Sequence, residues 1–255
     1  MWFISLLGQI VISIFNQIAD ILFFLSRVLL NTITPPIFLK KIIKQLLSIG
    51  FYSIPIVSFT ALFAGMVLAL QSYSGFSRFS AESAIASVVV ISIVRELAPV
   101  FTGLMVAGRI GASICAEIGT MKVSEQIDAL KVMGINPLKY LIVPNVLASV
   151  IALPLLVILA DIVGVFGGFI VATGKLEFNP INYIEKTFQY LQSSDITLGI
   201  TKAIVFGIIV SVIGSYYGYY TKNGAEGVGR STTNAVVISS IMILFFNYVI
   251  TELFF

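Results

Sequence analysis

The residues able to do chemistry in this chain stand on one otherwise apolar stretch, VRELAPVFTGLMVAGRIGASICAEIGT, which carries Arg95, Glu96, Arg109 and Glu117. A charge at bilayer depth costs from about 2.5 kcal/mol upward, so such residues face a protein interior, one another or a pathway. Two chemistries are open to Arg95 and Glu96. A guanidinium at low dielectric grips a phosphate through paired N–H donors. Equally, the two could tie neighbouring helices together as ion pairs. Arg109 and Glu117 lie about two helical turns apart on one face, and structural ion pairs with neighbours are expected for both. Asp161, alone within LPLLVILADIVGVFGG, should face the interior, either lining a pathway or as a hydrogen-bonded packing residue.

Much other chemistry is excluded. The chain has no His, which removes the commonest general base and metal ligand. Its single Cys115 reads as a small packing residue rather than a nucleophile. No metal site and no cofactor are expected, and a net charge of +3 is too small to suggest nucleic acid. Gly224-x-x-x-x-Gly229-Arg230-Ser231 imitates a nucleotide-binding loop, but a real one follows a strand and carries Lys. Here the segment links two apolar runs. It is expected to be a loop over Thr221–Arg230, with Ser231 or Thr232 capping the last helix.

The elements that must position these residues are membrane helices. Hydrophobic residues make up 58% of the chain and charged ones 11%, against about 25% charged in soluble domains. At about 20 apolar residues per span, the chain suits five or six spans. The clear ones are expected near residues 48–72, 84–118 (with a bend near Pro99), 141–173, 196–220 and 232–253. Residues 1–34 precede them as a separate N-terminal unit, and 35–255 form the main domain. A narrow polar stripe of Ser5, Gln9, Ser13, Asn16, Gln17, Asp20 and Arg27 lets the N-terminal helix lie in the interface or span the membrane with the stripe against protein; the interfacial, membrane-embedded placement is the one expected. Lys175–Asp195 is a polar connection able to carry a short helix. The fold class is therefore all-α integral membrane protein.

Lys40, Lys41, Lys44, Lys122, Lys131, Lys139, Lys222 and Arg230 collect on one side, which by the positive-inside rule is cytoplasmic. Gly and Ala residues such as Gly103, Gly108, Gly111, Gly164, Gly167 and Gly214 suit close helix packing in lipid. The two halves show no internal repeat, which argues against a self-contained secondary transporter. Such an ion-coupled carrier, working through Arg95, Glu96 and Asp161, is the alternative reading. A half-size membrane subunit is expected to dimerise.

Between the second and third spans lies a short amphipathic helix, Lys122 to Gly134. Glu125, Asp128 and Lys131 fall on its wet face, while Ile127, Leu130 and Val132 can anchor the other side. Asp128-Ala129, with Gly134 and Pro144 downstream, resembles the Glu-Ala-Ala loop of importer-type ABC permeases, which docks on an ATPase.

The linked motifs are more specific. Arg95-Glu96-Leu97-x-Pro99, Ala107-Gly108-Arg109-x-Gly111, Ala116-Glu117-Ile118-Gly119-x-Met121, Glu125-Gln126-x-x-Ala129-Leu130, Met133-Gly134-x-x-Pro137 and Gly227-Val228-Gly229-Arg230-x-Thr232-Thr233 occur in order. Together they resemble the MlaE (YrbE) family of ABC permeases over roughly residues 40–253. One departure is Ala98, where relatives often have Gly. The resemblance implies a homodimeric lipid-transport core in a bacterial inner membrane or a plastid inner envelope. Its implied partners are a cytoplasmic ABC ATPase, an MCE-domain protein, a STAS-type subunit, a second copy of the chain and phospholipid. It also implies that Arg95 and Glu96 sit near the lipid cavity, and that Glu125, Asp128, Lys131 and Gly134 belong to the ATPase-coupling helix.

Overall fold

The computed structural model describes residues 2–36, 38–79 and 84–254. The side chains of Ser5 and Ser13 lie outside the described residues, as does the end of the expected polar turn at 80–83. The described residues form helices and no strands: α1 Trp2–Ile33, α2 Leu39–Ile49, α3 Ile54–Phe76, α4 Ile85–Ser92, α5 Ala98–Val106, α6 Ala112–Val123, α7 Gln126–Val132, α8 Val143–Gly174, α9 Pro180–Tyr190, α10 Ser193–Tyr219 and α11 Gly224–Leu253. Among them, five continuous helical stretches are long and apolar enough to cross a membrane: Leu39–Phe76, Ile85–Val123, Leu138–Gly174, Ser193–Tyr219 and Gly224–Leu253. Lipid offers no partner for backbone N–H and C=O, so helices that satisfy their own bonds are what such runs can form.

The second stretch is not a uniform α-helix. Single π-helical turns at Ile93–Leu97 and Ala107–Gly111 separate α4, α5 and α6, and a third at Leu138–Ile142 opens α8. Such turns recur at functional sites. The expected disturbance near Pro99 is thus a widened turn just ahead of the proline.

Helix α8 is the central post. Its Gly164 and Gly167 let α3 approach so closely that a Cβ at Gly65 would lie 1.9 Å from the Gly164 carbonyl oxygen, and one at Gly167 would lie 2.3 Å from that of Leu62. On its other side Gly207 of α10 meets the Ser149 carbonyl. Small residues here substitute backbone contact for the hydrophobic effect, which is weak between helices in lipid. Helix α1 docks by its C-terminal part. Phe24 and Val28 are buried, Phe24 packs edge-on against Tyr216 and Tyr220, and Gln17 donates to the Tyr217 hydroxyl.

The expected loop at Thr221–Arg230 is corrected. Helix α11 begins at Gly224, and the turn narrows to residues around Asn223, whose φ of +66° is followed by +65° at Gly224. Two successive left-handed residues reverse the chain at once, which Asn and Gly tolerate best. The reversal brings the Lys222 carbonyl over Gly227, where a Cβ would lie 1.6 Å away. Thr232 accordingly caps nothing: its hydroxyl donates to the Gly229 carbonyl inside the helix.

Candidate functional site

Pro99 begins the site. Proline has no N–H, so the carbonyl four residues earlier loses its helical donor. That carbonyl belongs to Arg95, and Lys202 Nζ donates to it at 2.8 Å. The same ammonium lies 2.8 Å from Glu96 Oε1. Lys202 comes from α10, and it can approach because Gly199, one turn earlier, has no side chain to meet the Val94 carbonyl, which stands 2.9 Å from a built Cβ. Glu96 is further held by α11: Asn247 Nδ2 donates to Oε2 at 2.9 Å and the Thr251 hydroxyl to Oε1 at 3.0 Å. Arg95 Nε lies 3.7 Å from the buried Asp195 carboxylate at the start of α10. One π-helical turn, two further spans and four charges therefore converge on one place.

Its depth follows from the sequence. Arg95 lies ten residues past Ile85 and Asp195 two past Ser193, so the cluster occupies the extracytoplasmic part of the bundle, on the orientation drawn from the Lys and Arg count. Arg95 and Glu96 stay partly exposed, whereas Lys202 is wholly enclosed. Ions at such a position are affordable only when paired and hydrogen-bonded. Lys202, Asp195 and Asn247 were not singled out from the sequence as partners. Lys202 sits close to the end of an apolar run and reads there as an interfacial charge. Pro99, with an unclaimed carbonyl at Arg95, was the available signal.

Asp161 is separate from this cluster. It lies on α8, one turn before the Gly164 that packs on Ile93, at a similar depth but in a groove between α4, α8 and α9. Among the described residues no donor reaches its buried Oδ1. The groove has a volume of about 510 Å³ and is walled chiefly by apolar side chains, with Tyr183 and Thr187 among them.

Arg109 and Glu117 depart from expectation. Arg109 donates to Ser53 Oγ at 2.7 Å, across to the segment entering α3. The ion pairs formed by the described residues include neither Arg109 nor Glu117. Glu117 is exposed beside Lys41, Lys44 and Tyr140 instead. Arg109 meets the Ser53 hydroxyl and, among the described residues, no carboxylate, and Lys41 beside Glu117 is turned over the Tyr140 ring, 3.1 Å from its centroid.

At the Lys- and Arg-rich end of the bundle, Glu125 takes φ +59° and turns the chain from α6 into α7. Ile127 and Leu130 are buried against the bundle, as expected. Val132 is not an anchor: it is 90% exposed, and Met133 is exposed as well. Two residues after Leu130, Val132 is rotated by about 200° on a helix, which carries it to the opposite face. Asp128 is bridged by Lys122 at 2.9 Å and by Lys131 at 2.8 Å. Lys131 first, then Lys122, hold its carboxyl below the usual range by hydrogen bonding, and Lys131 is raised mainly by its bond to Asp128. Gly134 adopts φ +76° and ends the helix, its N–H donating to the Lys131 carbonyl, as a left-handed residue after a helix does.

Comparison with known proteins agrees with this architecture. A family model described as Permease MlaE matches residues 42–253. A probable ABC transporter permease protein of Rickettsia bellii is 55% identical over 249 residues, covering 98% of this chain and 96% of the relative. The intermembrane phospholipid transport system permease protein MlaE of Haemophilus influenzae is 34% identical over 258 residues, 99% of this chain and 97% of that one. Protein TRIGALACTOSYLDIACYLGLYCEROL 1, chloroplastic, of Arabidopsis thaliana is 36% identical over 230 residues, 90% of this chain and 66% of the relative.

Proposed function

The chain belongs to the MlaE permease family, and from that premise we propose that it is the membrane-spanning subunit of an ABC system that moves phospholipid out of or into a bacterial inner membrane. It works as a transporter subunit and leaves ATP to a separate cytoplasmic ATPase. The observation that carries the assignment of the pathway is the cluster around Glu96. Four charges held at bilayer depth by α4–α5, α10 and α11 are costly to keep, and Arg95 and Glu96 remain partly open beside them. A guanidinium there is suited to a lipid phosphate, and Glu96 to an amine or hydroxyl of the same headgroup.

A second copy of the chain closes the path. Support comes from α11, which places Asn247 against Glu96 while Leu244, Phe245 and Tyr248 remain exposed on the same helix. The ATPase acts on the Glu125–Gly134 segment. Asp128 holds α7 on α6 through Lys122 and is braced along α7 by Lys131, and the outward Val132 and Met133 offer the ATPase an apolar grip. An MCE-domain protein on the extracytoplasmic side supplies or receives the lipid, and a STAS-type subunit joins the cytoplasmic face.

The test is purification of the tagged chain from its native membrane, with mass spectrometry of proteins and lipids, beside a form with Glu125 and Asp128 reversed in charge. Recovery of an ATPase, an MCE-domain protein and phospholipid, with loss of the ATPase from the reversed form, is the expected result. A chain that comes down without any ATPase would overturn the reading in favour of ion-coupled transport.

A further inference from the structure

The third π-helical turn, Leu138–Ile142, takes no part in the Glu96 cluster. It opens α8, and only residues 133–137 separate it from the end of α7. That connection has little slack. The Ile135 N–H donates to the Leu130 carbonyl at 2.9 Å, closing α7 behind Gly134. Asn136 Oδ1 accepts from the Leu138 N–H at 3.0 Å, as a helix cap does. Pro137 between them is buried, and its ring fixes φ.

The N-terminal segment holds the same connection from outside. Asn31 Oδ1 accepts from Asn136 Nδ2 at 3.1 Å, and the Pro35 carbonyl accepts from Lys139 Nζ at 3.0 Å. Phe38 stands edge-on to Tyr140 with ring centroids 5.1 Å apart, a favoured aromatic geometry. Lys41 Nζ lies 3.1 Å from the centroid of that same tyrosine ring. At the other end of α7, Lys131 Nζ lies 5.9 Å from the Tyr219 ring centroid, within the roughly 6 Å reach of a cation–π contact. Tyr219 in turn packs on the buried Phe24 of α1, centroids 6.2 Å apart. The N-terminal segment thus supports α7 through α10 and grips its exit directly.

This has a mechanical consequence. Force on the exposed Val132 and Met133 leaves α7 backward into α6, inward through Ile127 and Leu130, or forward through residues 133–137 into α8. The forward route works only if the connection does not give, and exposed connections are where chains open most readily. Helix α2 runs on into α3, and α3 is seamed to α8 by backbone contact at Gly65 and Gly164. The exit of α7 is therefore braced against the post that it drives.

We propose that the N-terminal segment is the seat of the coupling segment: Asn31, the Pro35 carbonyl and Phe38 hold Asn136, Lys139 and Tyr140, so that ATPase movement at Val132 and Met133 reaches α8 and is not absorbed at residues 133–137. Asn31 and Phe38 are positioning residues that act through Asn136 and Tyr140. The proposal rests on the reading that an ATPase acts on residues 125–134.

The test uses proteoliposomes holding the complex copurified with the full chain, with ATP hydrolysis and movement of labelled phosphatidylethanolamine read in the same sample. Phe38→Ala and Asn31→Ala should lower the lipid moved per ATP by about fivefold and about threefold, the size of change that acts along a coupling path. ATPase recovery should stay at the wild-type level, and hydrogen exchange should rise at residues 133–140 but not in α3. Phe38→Tyr, which keeps the ring, should hold the wild-type ratio, as should Phe23→Ala on the outward face of α1. A purely structural role would lower transport and hydrolysis together and leave their ratio intact. Asn136→Ala, at an exposed position, removes the Asn31 contact from the other side and carries the test should Phe38→Ala fold poorly. A wild-type ratio in the Asn31, Phe38 and Asn136 variants, unchanged exchange at 133–140, or loss of the ATPase would overturn the seat alone. A wild-type complex without an ATPase would overturn the permease reading and the seat with it.

Discussion

Lys202 Nζ lies 2.8 Å from Glu96 Oε1, and the lysine is fully enclosed while the glutamate side chain keeps 37% of its surface open. The pair is therefore asymmetric. Losing the carboxylate strands a buried ammonium, whereas losing the ammonium leaves a carboxylate that still has Asn247, Thr251 and partial access to the surroundings.

Glu96→Gln should accordingly destabilise the folded chain more than Lys202→Gln does. Removing one partner of a buried pair costs about 3–5 kcal/mol, and the partial exposure of Glu96 places the loss near the lower end. Thermal denaturation in detergent should show the double variant recovering part of that loss, a coupling of about 1–3 kcal/mol. Additive losses would show that the two groups do not depend on each other.

The α7 segment should respond to acid through Asp128. Its carboxyl sits below its ordinary 3.8 because Lys131 and Lys122 donate to it, so its contribution is present above that value and is lost as pH falls through the lower, folded value. Hydrogen exchange at Ile127–Gly134 should be constant from neutral pH to about pH 5, after correction for intrinsic rates, and rise only in strong acid. Asp128→Asn should abolish that acid step. At the other end, Lys131 is raised above its ordinary 10.5, so its share is held below that value and lost as pH climbs beyond it. High salt should weaken both, since the pairs are solvent-exposed.

Gly65→Ala should be among the most damaging single-methyl changes in the chain, because its Cβ would lie 1.9 Å from the Gly164 carbonyl and neither helix backbone can yield locally. Overpacking of this kind costs about 1–3 kcal/mol or more. Gly75→Ala, in the same helix with nothing within 4 Å of the new Cβ, should be neutral. Yield of monodisperse protein after solubilisation separates the two. Equal yields would contradict the backbone seam between α3 and α8.

The outward residues of the coupling segment make the opposite prediction. Val132→Glu and Met133→Glu alter exposed positions and should leave the permease as stable as wild type while reducing recovery of the ATPase at least tenfold. Ile127→Asp, at a fully enclosed position, should instead lower the yield of the chain itself. Intact ATPase recovery from the Val132 and Met133 variants would remove the proposed grip.

Much of this was legible in the sequence because lipid enforces it. Apolar runs of sufficient length read as spans, and all five appear, together with α9 and the amphipathic segment before Gly134. What stayed hidden depends on backbone geometry. The start of α11 is set by two left-handed residues, Asn223 and Gly224, and Gly227 and Gly229 that suggest a loop are carried inside a helix. Val132 fits an apolar pattern but falls on the wrong side of α7. Lys202 became a site residue only once the π-helical turn and Pro99 exposed the Arg95 carbonyl to it, an arrangement that spacing does not reveal. Arg109 found a hydroxyl where a carboxylate was expected.

The most direct measurement is ATP-driven movement of labelled phospholipid in proteoliposomes holding the complex copurified with this chain, wild type beside Glu96→Gln, with ATPase content matched. The account predicts transport that requires ATP, is indifferent to an imposed ion gradient, and falls at least tenfold in the variant while the ATPase remains bound. Equal rates for the two forms, or movement driven by an ion gradient without ATP, would contradict it.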